Sequence, residues 1–278
     1  MIRMHSRKRW NIEMLIVTGV TIVILFVILS PILFVVFISF TNGETFQFPP
    51  PGWGLRWYRS ALELTTGQDW RVERLSESIL TSMAIAITVM FIATMVSVPT
   101  SYALVRFRFK GKMLVEQLVS LPLVFPLIVL GVSLLIMFSN LGLSAGFKGI
   151  VIGHVIITFP FVVRNCTASL QGISPTLEEA GWTLGASWIQ TFWKIVLPLM
   201  RPGMLSGMLI AFILSFNEFT VTYFLFTSEV FPFPIWLFTR ASCSLDPTIF
   251  SLSSAVIALD IVLLIVINRV VGKVGVSM

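Results

Sequence analysis

The sequence predicts an all-α polytopic membrane protein with six transmembrane helices. Three observations carry this reading. The 278 residues are 56% hydrophobic and only 12% charged, with a mean hydropathy of +0.94, whereas a soluble domain carries roughly 25% charged residues. Several uncharged runs exceed the roughly 18–20 residues needed to cross the hydrocarbon core as a helix. Lys and Arg are distributed unevenly between those runs. In lipid every backbone amide must be bonded within its own segment, so the runs are helices and not open strands.

The spans are placed at 14–40, 78–102, 114–138, 148–170, 202–226 and 247–271, within a single transmembrane domain covering 1–278. The N-terminus carries Arg3, Arg7, Lys8 and Arg9. The uncharged run that follows is too long for a signal peptide, whose apolar region is about 7–15 residues, so it is read as a retained first span. The segment 41–77 carries Trp53, Trp57, Tyr58 and Trp70, which suit either an interfacial aromatic belt or a partner-facing surface. After the second span comes the short basic cluster RFRFKGK at 106–112, which holds no acid. Pro99, Pro122, Pro126 and Pro160 interrupt spans. Each removes a helical hydrogen bond, giving either curvature or a break that lines a cavity. Glu116, near the inner end of the third span, is expected to pair with the basic loop. Cys166 and Cys243 fall on opposite sides of the membrane and should not pair. Asn165-Cys166-Thr167 fits a glycosylation sequon, but at the inner end of a span it is read as chance.

Orientation follows from Lys and Arg. With the N-terminus inside, the inner segments hold the four N-terminal cations, Arg106, Arg108, Lys110, Lys112, Arg164, Lys194, Arg201, Arg269 and Lys273, thirteen in all. The outer segments hold six: Arg56, Arg59, Arg71, Arg74, Lys148 and Arg240. Both termini are therefore expected in the cytoplasm. The net charge of +6 is explained by cytoplasmic retention and anionic lipid, not by nucleic acid.

One inner segment, 174–198, is coded as two polar-edged helices. Ser174-Pro175 is a helix start, and Thr176 with Glu179 offers an alternative capping box. Leu177, Ala180, Gly181 and Leu184 share one face. Glu178 and Glu179 are expected to point elsewhere, favouring the positive helix N-terminus. Gly185 ends this helix. Ser187 with Gln190 opens a second one carrying Trp188, Ile189, Phe192, Trp193 and Val196, which is expected to stop at Leu197-Pro198.

Glu179-Ala180-Gly181, three residues, Gly185, nine residues, Ile195-x-Leu197-Pro198 resembles the "EAA loop" of permease subunits of binding-protein-dependent ABC importers. Gly181 stands where that family usually has Ala, a change that loosens a helix by roughly 1 kcal/mol. SYALVRFRFKGK (101–112), ITFPFVV (157–163), LSFNEFTVTYFL (214–225) and FPFPIWLF (231–238) resemble the spermidine/putrescine branch, its second permease most closely. The resemblance implies a type I ABC importer permease (MetI-like) fold in the bacterial inner membrane. It also implies that Glu178, Glu179, Ala180, Gly181, Leu184, Gly185 and Ala186 couple the chain to an ATPase. The implied partners are a homologous second permease, an ATPase dimer, an extracytoplasmic binding protein and lipid.

The chain carries no GxxxxGK[ST] phosphate loop, so no cofactor is expected on it, and ATP with Mg2+ belongs to the partner ATPase. HExxH and GxSxG are absent. Two histidines, His5 and His154, are too few for most metal chemistry, so neither catalytic nor metal residues are expected. No internal repeat of the secondary-transporter kind is evident; ATP-independent transport is the less favoured alternative. Ionisable residues inside spans face cavities or partners. Glu218, beside Asn217, is the leading candidate contact for a cationic solute, where relatives of the branch often carry two acids. Asp260, in the sixth span, either meets solute, pairs with a partner or stays neutral. Phe219, Tyr223 and Trp236 could hold an ammonium by cation–π contact, although helix packing explains most of the 24 phenylalanines. His154 is expected to be a hydrogen-bonding packing residue. The expected solute is a polyamine or related small amine, the alternatives within the branch being an aminophosphonate, opine, iron or an organic anion.

Overall fold

The structure is a computed structural model that describes residues 2–44, 47, 49–66, 70–243 and 247–275. The side chains of Arg3, Arg7, Lys8, Arg9, Trp70, Arg71, Arg74 and Lys273 lie outside the described residues. In chain order the helices are α1 (Ile2–Ser39), α2 (Arg56–Thr66), α3 (Trp70–Arg106), α4 (Lys112–Ser120), α5 (Leu127–Asn140), α6 (Gly146–Gln171), α7 (Thr176–Thr183), α8 (Trp188–Thr191), α9 (Leu197–Phe216), α10 (Thr222–Leu225), α11 (Phe233–Cys243) and α12 (Thr248–Gly275). Among the described residues the only β pairing is an isolated antiparallel bridge between Thr41 and Trp53.

Five helical stretches are long and apolar enough to span a membrane, and a sixth forms if the bent pair α4–α5 is taken as one. The third span, placed over 114–138 with a break or curvature expected at Pro122 and Pro126, is broken by 99° between Lys112–Leu123 and Leu127–Asn140. Pro126 sits at the break with an extended backbone (ψ 124°), because proline disfavours a helical residue before it and cannot donate to the preceding turn. Pro99 and Pro160, by contrast, lie inside continuous helices. The segment 41–77 is also not a plain loop, since it contains α2, and α3 begins at Trp70.

The chain divides into two compact units. The first comprises Met1–Glu63 and Ala241–Ile257. There the Ser39 hydroxyl lies 2.7 Å from the Tyr58 hydroxyl, which donates to Ser254 Oγ at 3.1 Å. Ser251 Oγ donates to the Trp57 carbonyl at 3.1 Å. Trp53 meets Phe37 edge-on at 4.4 Å, and Arg56 lies 5.0 Å over the Trp57 ring.

The second unit comprises Leu64–Arg240 and Ala258–Met278. Its centre is three helices, α3, α6 and α9, packed on one another. One core cluster joins Tyr102, Val162, Cys166, Leu170, Val196 and Met200. A second joins Ile85, Val89, Leu134, Ile150, Val221 and Leu225. Helices in lipid pack through small residues that let backbones approach, and α9 carries that spacing at Gly203 and Gly207. A Cβ on Gly203 would lie 2.6 Å from the Asn165 carbonyl oxygen of α6, and one on Gly207 would lie 3.3 Å from Val162 Cα. Ser206, between them, donates to Asn165 Oδ1 at 3.0 Å. Gly203→Ala is accordingly expected to force α6 and α9 apart and lower the yield of folded protein, whereas Gly19→Ala, with open space around it, leaves yield unchanged. Monodispersity in detergent would show the difference. Cys166 and Cys243 are both free.

Candidate functional site: a docking platform and a polar cluster in the membrane

The segment 174–198 folds as two helices at the end of the second unit that carries Arg106. The first, α7, ends as its local sequence dictates. Gly185 takes φ 86°, a left-handed conformation that glycine adopts without a Cβ penalty. The Ala186 amide donates to the Gly181 carbonyl at 3.0 Å and the Gly185 amide to that of Trp182 at 2.9 Å, which is the Schellman termination. At the start of α8 the expected capping box is present: the Gln190 amide donates to Ser187 Oγ at 3.3 Å, and the Ser187 amide to Gln190 Oε1 at 3.0 Å. The alternative box at Thr176 and Glu179 does not form; instead Ser174 Oγ and Thr176 Oγ1 lie 2.8 Å apart.

Contrary to expectation, the second helix does not stop at Leu197-Pro198. It continues through a π-turn, Phe192–Val196, into α9. The Leu197 amide reaches back to the Phe192 carbonyl, and this widened turn accommodates Pro198, which has no amide to offer. Glu178 points away from the exposed Leu177 face, as expected, and into the protein. It is 2% exposed, and its carboxylate accepts from Arg106 Nε at 2.6 Å and from the Tyr102 hydroxyl at 2.6 Å. Arg106 Nη2 also donates to the Ile173 carbonyl at 2.8 Å. Around this pair Tyr102 meets Phe107, Trp188 and Phe192 edge-on at 5.7, 5.8 and 5.2 Å. The end of α3 is thus clamped to α7 by a buried, charge-assisted contact of the strong kind.

Gly181 is buried beneath α7, where a Cβ would lie 3.0 Å from Ile195 Cδ1. It therefore departs from the face expected to be shared with Leu177, Ala180 and Leu184, which are exposed. Leu177, Trp182, Leu184, Ile189 and Trp193 together leave a large apolar surface open, Leu184 being 89% exposed. Glu179 is exposed beside them and forms no ion pair among the described residues. Exposed apolar side chains in such number fit a protein–protein or a membrane-facing surface.

The second group lies where α9 ends, short of the 202–226 helix expected. Asn217 closes α9, donating to the Ile213 carbonyl at 3.0 Å. Glu218 then turns back. Both its carboxylate oxygens accept from the Val221 amide at 3.0 Å, and Oε2 also accepts from the Thr222 amide at 3.0 Å. Glu218 thereby caps α10. His154 Nε2 lies 3.4 Å from Glu218 Oε2 and 2.8 Å from Thr222 Oγ1, while His154 Nδ1 lies 2.8 Å from Ser215 Oγ. His154 is buried and hydrogen-bonded, as expected. Glu218 faces inward, saturated by its own backbone.

The residue left facing outward is Asp260 of α12, whose two oxygens accept from Asn217 Nδ2 at 3.2 and 3.0 Å. Asn217 is exposed and Asp260 half-buried. Phe219 and Tyr223 lie 5.5 Å apart, and each contacts Phe238, at 4.9 and 6.0 Å. Trp236 is instead the end of a near-parallel stack, Phe212, Phe216, Phe233, Trp236, spaced 6.0, 6.1 and 6.4 Å. Glu116 forms no ion pair among the described residues, contrary to expectation. Sequence reasoning missed the role of Arg106 and Tyr102, which carry no local signal for it, and the close packing at Gly203 and Gly207, for which the GxxxG spacing is the available signal.

Comparison with known proteins agrees with this architecture. The family described as binding-protein-dependent transport system inner membrane component matches residues 97–275. The spermidine/putrescine transport system permease protein PotC of Haemophilus influenzae is 29% identical over 87% of this chain and 91% of its own length. The PotC of Escherichia coli K12 is 28% identical over 84% and 86%. The molybdenum transport system permease protein ModB of Haemophilus influenzae is 36% identical, over 51% of this chain and 67% of its own. Among solved structures, a chain of a bacterial ABC transporter involved in the import of the acidic polysaccharide alginate superposes with a TM-score of 0.62 at 22% identity, covering 93% of this chain and 95% of that one. A chain of the inward-facing MetNI methionine ABC transporter gives 0.60 at 18%, covering 72% and 95%. The fold is that of the type I ABC importer permeases.

Proposed function

The chain belongs to the inner-membrane components of binding-protein-dependent transport systems and is a permease subunit of an ABC importer; from that premise we propose that its solute is a polyamine or a related small amine. The observation that carries the solute reading is the Asn217–Asp260 pair. A carboxylate in a spanning helix faces a cavity or a partner and not lipid; here the anion is bonded to Asn217, two residues before Phe219 of the Phe219–Tyr223 aromatic pair, and a carboxylate with aromatic rings suits an ammonium by charge and cation–π contact. The two PotC relatives, similar over most of this chain, support the same solute class. A second reading, an oxyanion, is favoured by the ModB likeness over about half of the chain, and Asp260 opposes it by charge.

In this reading both termini and the 174–198 platform are cytoplasmic. The exposed surface around Leu184 docks on a separate ATPase dimer, which binds ATP with Mg2+. A homologous second permease completes the pathway, and a binding protein delivers solute from outside. ATP-driven closure of the ATPases pulls the platform, and the Arg106–Glu178 contact passes the movement to α3. The access side then alternates.

The test is uptake of labelled putrescine, molybdate and sulfate by the reconstituted complex with its binding protein. ATP-dependent putrescine uptake that molybdate does not compete is expected; uptake of molybdate alone would replace the polyamine reading with the oxyanion one. Glu179→Arg, at an exposed position without an ion pair, is expected to abolish stimulation of ATP turnover by loaded binding protein and to leave the permease folded. Normal stimulation in that variant would remove Glu179 from the coupling surface.

A further inference from the structure

A cleft of about 590 Å³ opens between the last turn of α3, α4 and the last turns of α6. This is the size of a small-molecule site, and neither the platform nor the Asn217–Asp260 pair uses it. Its polar lining includes Arg106, Lys112, Glu116, Ser120, Arg164 and Thr167. Arg106 is committed to Glu178 and Ile173. Lys112 and Arg164 form no ion pair among the described residues. Thr167 Oγ1 is buried without a hydrogen-bond partner. Arg164 and Thr167, three apart on α6, share one helix face. Arg164 also lies seven residues before the end of α6 at Gln171, about 10 Å along the axis. A guanidinium at that depth needs an anion or water in front of it.

We propose that this cleft binds a phosphate group. Arg and Lys together with a hydroxyl donor are the side chains that hold phosphate oxygens, and here they line one cleft from two helices. Formal charge narrows the class. Arg106 is neutralised by Glu178, and Glu116 offsets one of the two remaining cations, which leaves one net positive charge. That balance suits a phosphodiester monoanion better than a dianionic phosphomonoester. A glycerophospholipid headgroup and a soluble phosphodiester share this chemistry. The other faces of α4 expose Met113, Leu114 and Leu118, an apolar surface suited to acyl chains. Arg106 and Pro175 also line the cleft, so the bound phosphate lies beside the contact that holds α7 to α3. The basic lining separates this cleft from the route of a cationic solute.

The test uses the intact transporter complex, stripped of lipid by detergent washing. Phosphatidylglycerol, phosphatidylcholine, glycerophosphoglycerol and inorganic phosphate are each titrated in, and binding is read by native mass spectrometry and by thermal unfolding. Phosphatidylglycerol is expected to bind the parent about tenfold or more tightly than the Lys112→Gln/Arg164→Gln variant, following the roughly fivefold effect of one basic residue near an anionic headgroup. Glu116→Gln is expected to bind it more tightly than the parent, and it reports even if the double variant fails to fold. Equal binding of glycerophosphoglycerol would support the site with a soluble source, and preference for the lipid would support the leaflet. Binding that none of these substitutions changes, or that Glu116→Gln weakens, would overturn the proposal.

Discussion

Glu178→Ala is expected to destabilise the permease and to disconnect ATP turnover from transport. The carboxylate is 2% exposed and accepts from both Arg106 and Tyr102 at 2.6 Å. Its removal leaves the Arg106 guanidinium, 13% exposed, without an anion. Stripping one partner from a buried ion pair costs about 3–5 kcal/mol, whereas replacing both with apolar groups of similar volume is often near neutral. Arg106→Met/Glu178→Met should therefore recover much of the thermal stability lost by the single variant. Coupling should not recover with it, because methionines supply no directional contact between α3 and α7. Unfolding temperature and the ratio of ATP hydrolysed to solute moved separate the two effects. A Glu178→Ala protein that is as stable and as tightly coupled as the parent would show that α7 is held by packing alone.

Asp260→Asn is expected to lower uptake of a cationic amine by about tenfold or more while the complex assembles normally. One charge-assisted contact is worth roughly 1.5–3 kcal/mol, and every 1.4 kcal/mol is tenfold in affinity. Asp260 is half-buried and, among the described residues, held by the Asn217 amide, so an amide in its place changes charge and little else. Asn217→Asp should shift preference toward solutes of higher positive charge. Glu218→Gln makes the contrast. Its carboxylate accepts two backbone amides and the Thr222 hydroxyl, and a glutamine NH2 cannot accept. The expected result is reduced stability with unchanged solute preference. If Glu218→Gln alters selectivity and Asp260→Asn does not, the solute contact belongs to Glu218 and the present assignment is reversed.

The features legible in the chain were those whose chemistry is local. Hydrophobic run length marked the spans, because the thickness of the bilayer dictates it. Gly185 and the Ser187–Gln190 box marked the ends of α7 and α8, because those hydrogen bonds close within three to five residues. The 174–198 segment was singled out by its resemblance to the EAA loop of importer permeases, not by local chemistry. The break at Pro126 was half legible: proline announced a distortion, and only packing decided that it would be a 99° bend and not the uninterrupted helix that runs through Pro99 and Pro160.

The acids divided differently, because a sequence states that a charge exists but not what faces it. Glu178 read as an acid at a helix N-terminus, and a tyrosine and an arginine more than 70 positions away hold it inside the protein. Glu218 read as the leading candidate contact for a cation, and the turn after α9 gives its carboxylate the Val221 and Thr222 amides. Asp260 acquired its partner 43 residues away. Hydrophobic run length therefore determined an all-helical chain with five apolar spans, or six with the bent pair α4–α5 taken as one. Which group each carboxylate faces was decided by the packing of α3, α6, α9 and α12, since the cost of a charge in lipid depends on the group that happens to lie opposite it.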